Sequence, residues 1–505
     1  MSTATVTIAL STIIACYVFF FALLHLTQDK SEPPVVSRSI PFVSPLLGMV
    51  RWGMDYYSHM RRRHLGLPIY TLRLPGTRIY VVNSLDLIHA VQRQWRTLIF
   101  APIQVKAARV AMGVGKDTVA ILERDMITKS GFVNGMAKSI HPTLSNGPAL
   151  DALSAKVFEV FNGAMGEFTA PTTISMFQWI DKQIMLATTD AVYGSSNPMR
   201  DDQNLAAWHN YHPAIMFFML DILPPKLFFK SAIQGREYLV KSFAKYYKDG
   251  SYQKGSAYIQ EFTRHCISQK IPHNDIPRLL MGTVFNTVAN TTPSAFWVIY
   301  RIFSDSTVLQ ECRDEVEAAI QHNENGTSTI DLNLVVNSCP ILLSTYNEVF
   351  RYHGMANSVR FVSEDHMLNG RYLVKKGGLV MVSARSQHSN PAIWGDNVDR
   401  FYHKRFMKQQ NGGKRVNPVA LRGFGGGTTL CPGRHFATSE ILMLAALMLA
   451  RFDVQPSGGK PWVLPSTAKS SQAEAMEQPD NDINIEVLPR PGTSGRAWRV
   501  AFSGR

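Results

Sequence analysis

Cysteine is scarce in this chain of 505 residues. Cys16, Cys266, Cys312, Cys339 and Cys431 are five in all, an odd number, and none stands in CxxC spacing. That argues against a disulfide framework and a zinc site, and it fits a reducing, cytosol-facing compartment. Long basic runs are missing too. The 52 Lys and Arg against 38 Asp and Glu give a formal charge of +14, yet no Lys/Arg run interleaves with aromatics. Nucleic acid is therefore a poor partner, and an anionic membrane face or an acidic protein would use the same field. There is no internal repeat and no flavin or nicotinamide fingerprint, so electrons, if the chain uses any, come from a separate partner. Length alone would suggest two or three domains, but only one boundary is visible, near the N-terminus.

That boundary follows the one apolar run long enough to cross a hydrocarbon core of roughly 30 Å, residues 6–26. The run contains no Asp, Glu, Lys or Arg, has no basic leader and ends in Leu26-Thr27-Gln28 rather than a small-residue cleavage site. An uncleaved transmembrane anchor is expected. Lys30, Arg38, Arg51 and Arg61 to Arg63 follow it, which places the body in the cytosol by the positive-inside tendency. Pro33, Pro34, Pro41 and Pro45 then suggest a semi-rigid spacer. The division expected is anchor 6–26, proline-rich hinge 27–48 and catalytic body 49–505.

In the body, residues 70–74 and 78–82 read as strands around the turn Pro75-Gly76-Thr77. Three- and four-residue apolar spacing predicts helices over 149–168, 173–193, 237–247, 277–303, 307–322, 335–352 and 438–451. Short strands are expected at 372–374, 379–382, 484–488 and 498–502. The fold class is mainly α with minor β. Residues 216–229, MFFMLDILPPKLFF, are unusually apolar for a segment broken by Pro224 and Pro225, and read either as a buried loop or as an exposed patch that dips into a bilayer.

Cys431 lies in Phe424-Gly425-Gly426-Gly427-Thr428-Thr429-Leu430-Cys431-Pro432-Gly433-Arg434-His435. The glycines let the backbone bend tightly and approach a flat ligand. Pro432 and Gly433 sit at the start of a helix whose positive end favours a thiolate. This is how a chain presents one thiolate to a haem iron, where it favours O–O cleavage. The segment resembles the haem-binding loop of the cytochrome P-450 family, whose pattern FxxGxxxCxG is met by Phe424, Gly427, Cys431 and Gly433. Glu348 and Arg351 stand at i and i+3 on one helical face, in the order and range that this family shows. Phe401-Tyr402-His403-Lys404-Arg405-Phe406 resembles its FxPxRF segment with His403 in place of the proline. The resemblance implies a buried Glu348, Arg351, Arg405 network that fixes the thiolate loop.

Within 277–303, ANTTPSAFW resembles the distal helix of the branch containing cholesterol 7-alpha-hydroxylase, sterol 12-alpha-hydroxylase and prostacyclin synthase. Asn290 stands where most relatives have an acid, Thr291 takes the oxygen-side position, and Pro293 bends the helix beside them. Thr291 is expected to hydrogen-bond the oxygen and Asn290 to position water, since Asn cannot titrate. Thr429 replaces the basic residue that many relatives place two before the thiolate. Arg360 is the leading substitute partner for the haem propionates, with Lys138 and His141 as weaker ones, and the family's WxxxR signal is absent. Substrate contacts are implied around residues 100–112, Phe217, the distal helix and residues 355–359, giving a mostly apolar pocket.

The resemblance implies haem b with axial Cys431, O2, a lipophilic sterol, terpenoid or related substrate, and NADPH-cytochrome P-450 reductase as electron donor at an endoplasmic reticulum membrane. Lys404, Lys408, Lys414 and Arg415 are candidates for reductase docking. The rivals are a haem-thiolate isomerase or dehydratase that needs no reductase, and a non-catalytic haem or lipid carrier.

Overall fold

The computed structural model describes residues 3–36, 39–221, 224–407, 416–471, 473–493 and 495–503. Arg38, Lys408, Lys414 and Arg415 lie outside the described residues. The chain forms two compact units, the first from residues 1–103, 355–398 and 417–430, the second from 104–354, 399–416 and 431–505.

The first unit opens with the helix Thr3–Thr27, which is long and apolar enough to cross a membrane. Its sheet has five strands in the order Ile69–Leu74, Thr77–Val82, Leu379–Ser383, Asn357–Val362, Leu98–Ile99. The expected hairpin is there, with Tyr70 opposite Val81 and Leu72 opposite Ile79, and Gly76 supplies the left-handed turn at φ 71°. Ile69, Tyr80, Val82, Ile88, Val362 and Val380 pack one buried cluster in this unit. Asn357–Val362 carries Arg360 on a strand that was not expected from the sequence.

The stretch after the first helix runs against this hairpin as far as Val36, rather than standing off as a spacer. Thr71 donates its N–H to the Pro34 carbonyl at 2.8 Å, and Val36 donates to the Thr71 carbonyl at 3.1 Å. Arg73 and Arg78 both donate to the Thr27 carbonyl, at 3.2 and 3.0 Å, placing two cations at the negative end of the helix. Glu32 holds this knot, accepting from Arg78 at 3.0 Å and from the Tyr80 hydroxyl at 2.6 Å. Replacing Arg73 and Arg78 together by Ala is expected to open the bonds just after Thr27 to limited proteolysis while the rest of the chain stays resistant. An unchanged digestion pattern would show that the two guanidiniums do not hold the helix end.

The second unit is mainly helical, with two three-stranded sheets, Phe452–Pro456 with Asn484–Pro489 and Thr172–Ser175, and Ala497–Ala501 with Thr327–Asp331 and Ile320–His322. Three helical expectations need correction. Residues 172–175 are an edge strand, and the helix starts at Met176; the β-branched Thr172-Thr173-Ile174 run favours the pleat. The 307–322 helix ends at Glu317, and Ile320–His322 pairs with Thr327–Asp331. The 335–352 helix is two, Leu332–Ser338 and Pro340–His353. Pro340 cannot donate to a preceding turn and starts the second.

The expected distal helix also divides, into Ile276–Val288 and Thr291–Phe303. Pro293 falls in the first turn of the second helix, where its missing N–H has no intrahelical partner to lose. Carbonyls near the break are taken by hydroxyls. Thr291 donates to the Thr287 carbonyl at 2.8 Å and Ser294 to the Asn290 carbonyl at 2.6 Å.

Helix Arg434–Arg451 is buried along most of its length and includes Glu440, which is 1% exposed. The Thr188 hydroxyl donates to Glu440 at 2.6 Å, but burial dominates and raises the carboxyl from 4.5 to about 8. A carboxyl raised on folding favours the folded state most at pH below 4.5 and loses that contribution as pH rises through 8. Glu440→Gln has no proton to lose. Wild-type stability should therefore fall relative to Glu440→Gln between pH 4.5 and 8 and level off above. Parallel denaturation curves for the two proteins across that window would contradict it.

Candidate active site

Glu348 and Arg351 lie one helical turn apart on Pro340–His353, so their side chains meet. Arg351 donates to Glu348 through Nε at 2.7 Å and Nη2 at 2.8 Å. Arg405 reaches the same carboxylate with Nε at 3.1 Å from both oxygens. The Tyr402 N–H adds a fourth donor at 2.9 Å, and both guanidiniums also bond the Arg400 carbonyl. All three side chains are buried, Glu348 completely. One carboxylate between two guanidiniums carries a net positive charge, and the fixed backbone dipoles complete its solvation. The three residues expected to form a network do meet. His403, at the proline position, bonds Glu311 at 2.8 Å, and Lys404 bonds the same carboxylate at 2.5 Å. Lys404 is thus already paired.

Cys431 is followed by Pro432, Gly433 and the helix that starts at Arg434, earlier than the sequence spacing indicated. The Arg434 guanidinium donates to the Cys431 carbonyl at 3.2 Å. Burial raises the Cys431 thiol above 9.0, while the N–H groups of Gly433 and Arg434 and the Arg434 charge pull the other way. The helix end therefore moderates the thiol without ionising it. The free thiol keeps its proton at neutral pH, and thiols of this kind lose it on metal binding.

In the first unit, Phe424 is half-buried and the glycine run bends after it. Gly427 has φ 64°, and a Cβ there would stand 2.8 Å from the Gln92 Cβ, so no other residue fits without strain. Arg360 is buried, donates to the Val359 carbonyl at 2.9 Å and to the Thr429 hydroxyl, and lies over the Phe100 ring at 5.3 Å. Thr429, the neutral substitute, is thus a direct partner of Arg360. Lys138 and His141 are exposed on the helix Phe132–Leu144, with His141 engaged by Ser145 at 3.2 Å.

The sequence reading missed Arg422. It is 3% exposed, and its Nη1 has no hydrogen-bond partner. A Cβ on Gly426 would come within 2.7 Å of that nitrogen. Burial lowers both Arg422 and Arg360 to about 10, and the Arg422 charge adds to the shift of Arg360. Among the described residues no carboxylate pairs with either. Two buried, mutually repelling guanidiniums need an anion, and the two propionates of haem are anions of the right count. The soft thiol of Cys431 is likewise a donor suited to haem iron. The residues present fit the group.

On the distal side, Thr291 is buried and its hydroxyl proton is given to Thr287. The Asn290 side-chain oxygen accepts the Ala475 N–H at 2.6 Å. In the described part of residues 216–229 more side chains are exposed than buried. Ile215 and Phe218 are buried, but Phe217, Leu220, Leu227 and Phe228 are each at least half exposed, which makes a surface apolar patch of the described part of this segment.

A mainly helical chain with one thiol set before a long buried helix and a Glu-Arg-Arg lock on the same unit defines a haem-thiolate protein. The Cytochrome P450 family model matches residues 33–475, and the chain belongs to that family. It is a cytochrome P450 monooxygenase, of the kind that uses haem b with the iron held by a cysteine thiolate. It is 29% identical over 500 residues to the cytochrome P450 monooxygenase nodJ of Hypoxylon pulicicidum, covering 96% of this chain and 95% of that one. The 25-hydroxycholesterol 7-alpha-hydroxylase of Rattus norvegicus is 24% identical across 69% of this chain and 86% of its own. The cholesterol 7-alpha-monooxygenase of Cricetulus griseus is 21% identical across 85% and 88%.

Proposed function

We propose that this P450 is held at the endoplasmic reticulum membrane by its first helix, with the body from residue 49 onward in the cytosol. There it oxidises a rigid lipophile of the sterol or terpenoid kind with O2 and NADPH electrons from a separate reductase. The observation that carries the lipophile is the exposed patch of Phe217, Leu220, Leu227 and Phe228 in a chain that also has a membrane-length helix. Exposed apolar surfaces of this kind mark contact with a bilayer or a partner. Relatives named for hydroxylating cholesterol and 25-hydroxycholesterol support the same substrate class.

Bound haem supplies the activation of dioxygen, and the protein supplies the ligand, the fixed frame and the protons. Cys431 would hold the iron in this reading. Phe424, Gly427 and Gly433 shape its loop, and Glu348, Arg351 and Arg405 tie the segment at Arg400 to Arg405 to the helix Pro340–His353. Arg360 and Arg422 would pair with the two propionates. At the distal turn, the Ala475 N–H occupies the Asn290 oxygen and leaves its NH2 to donate to water. The Thr291 hydroxyl, already donating to Thr287, offers lone pairs to a proton moving inward. Asn290 and Thr291 thus order the water that carries protons.

Reconstitution with reductase in phospholipid vesicles, a panel of sterols and terpenoids and isotopically labelled O2 tests the reading. One labelled oxygen atom in a product that forms only with NADPH is expected. Product from an organic peroxide without reductase, and none with NADPH, would overturn it in favour of an isomerase.

A further inference from the structure

Asn290 cannot supply a proton, yet the elements packed around it hold a buried carboxyl, Glu474, and a partly buried one, Asp181, that the account so far leaves unused. Glu474 immediately precedes Ala475, whose N–H bonds the Asn290 side chain. It is 5% exposed. Its Oε2 accepts from Gln478 at 2.5 Å, and its Oε1 stands 3.4 Å from His212 Nε2. Asp181, on the helix Met176–Tyr193, faces Thr292, two residues beyond Asn290. The Thr292 hydroxyl is buried with no partner that meets hydrogen-bond geometry. On its outer side, Asp181 Oδ2 lies 3.8 Å from Nε2 of His209, whose side chain is 60% exposed.

The polar groups therefore run from solvent at His209, through Asp181, to Thr292 and Glu474 on either side of the distal turn. We propose that Asp181 and Glu474 are the proton store for that turn, taking the place of the missing acid at position 290, and that His209 recharges the store from bulk water. The inference rests on the monooxygenase reading above.

The chemistry of the cluster suits the task. Burial raises both carboxyls; at Glu474 it outweighs the Gln478 hydrogen bond and, with Asp181 nearby, brings the carboxyl to about 8. Glu474 thus carries a proton at neutral pH. His212 would ordinarily ionise such a neighbour, but burial lowers it to about 4; it is stacked on Trp208 at 4.8 Å and faces Phe285 at 5.7 Å. A neutral imidazole beside Glu474 leaves the carboxyl protonated. The groups facing the store are His209 and Thr292 at Asp181, and His212 and Gln478 at Glu474.

Each proton handed inward from a Glu474 oxygen, across ordered water at Asn290, leaves a carboxylate. Asp181 reprotonates it across water, and bulk water reprotonates Asp181 through His209. One proton enters from solvent for each proton delivered, so the cluster is unchanged after a cycle.

The test uses the haem-loaded full chain in vesicles with reductase, and the lipophile identified by product in the reconstitution. Glu474→Gln and Asp181→Asn are each expected to slow product formation on the order of 10²-fold and to divert consumed O2 to hydrogen peroxide. The reduced carbon monoxide spectrum and the lipophile's spectral binding constant should not change. His209→Ala, a surface change that spares folding, should show the same diversion in weak buffer and be rescued by added imidazole. Infrared difference spectra should show a protonated carboxyl band that titrates near pH 8 in the wild type and is lost in Glu474→Gln.

Unchanged coupling in the variants, or no protonated carboxyl between pH 6 and 8, would overturn the store. Weaker lipophile binding with unchanged coupling would make the cluster a substrate anchor instead. If the wild type itself makes no NADPH-dependent product, the monooxygenase reading has failed, and the infrared titration still reports whether Glu474 holds a proton.

Discussion

Glu348→Ala is expected to yield protein without haem and with its unfolding free energy lowered by about 3–5 kcal/mol, the usual penalty for removing one partner of a buried ion pair. The carboxylate accepts hydrogen bonds from Arg351, Arg405 and the Tyr402 N–H. Its removal leaves two guanidiniums buried side by side, both bonded to the Arg400 carbonyl, without the anion between them. Their repulsion should open the segment that joins the helix Pro340–His353 to Arg405. Glu348→Gln keeps the shape and loses the charge, so its damage should be intermediate. Denaturant midpoints and the ratio of Soret to protein absorbance read both effects. A Glu348→Ala protein that kept wild-type stability and haem content would show that the triad is not the lock proposed here.

Cys431→Ala is expected to abolish product formation while shifting stability by no more than about 1 kcal/mol, as for a small truncation outside the core. The thiol has no structural duty that alanine cannot meet. Its loop is held by Arg434, and the helix behind it is buried along its own length. The two substitutions therefore separate frame from ligand: the first removes stability and haem together, the second removes the ligand and leaves the fold. Retained NADPH-dependent product formation in Cys431→Ala would assign the ligand elsewhere.

The residues that sequence reasoning found are those whose signal is local. Cys431 lies inside one loop with its glycines, and Glu348 and Arg351 are one helical turn apart. Gly427 was read as a tight bend, and the bend has the left-handed φ that requires it. Arg405 needed the family pattern, because nothing in its own segment points to Glu348. Arg422 was missed although it stands two residues before Phe424; a buried arginine next to a glycine run is itself a sign of an anion site. Asp181, His209 and Glu474 had no legible signal. They come from separate elements that only tertiary folding joins.

The errors in secondary structure have the same origin. Apolar spacing alone does not separate Thr172–Ser175 from the helix that follows it, and the edge strand exists because Asn484–Pro489 lies beside it. Pro293 was read as a bend within one helix, whereas it lies in the first turn of a new one. The break matters, because it places Asn290 at the junction where its side chain can bond Ala475.

The most direct measurement is the absorbance of the purified, reduced wild-type protein under carbon monoxide, beside Cys431→Ala. A strongly red-shifted Soret band in the wild type, absent from the variant, is the predicted result. A band typical of histidine-ligated haem, or a wild type that takes up no haem when haem is supplied, would contradict the assignment of Cys431 as the iron ligand.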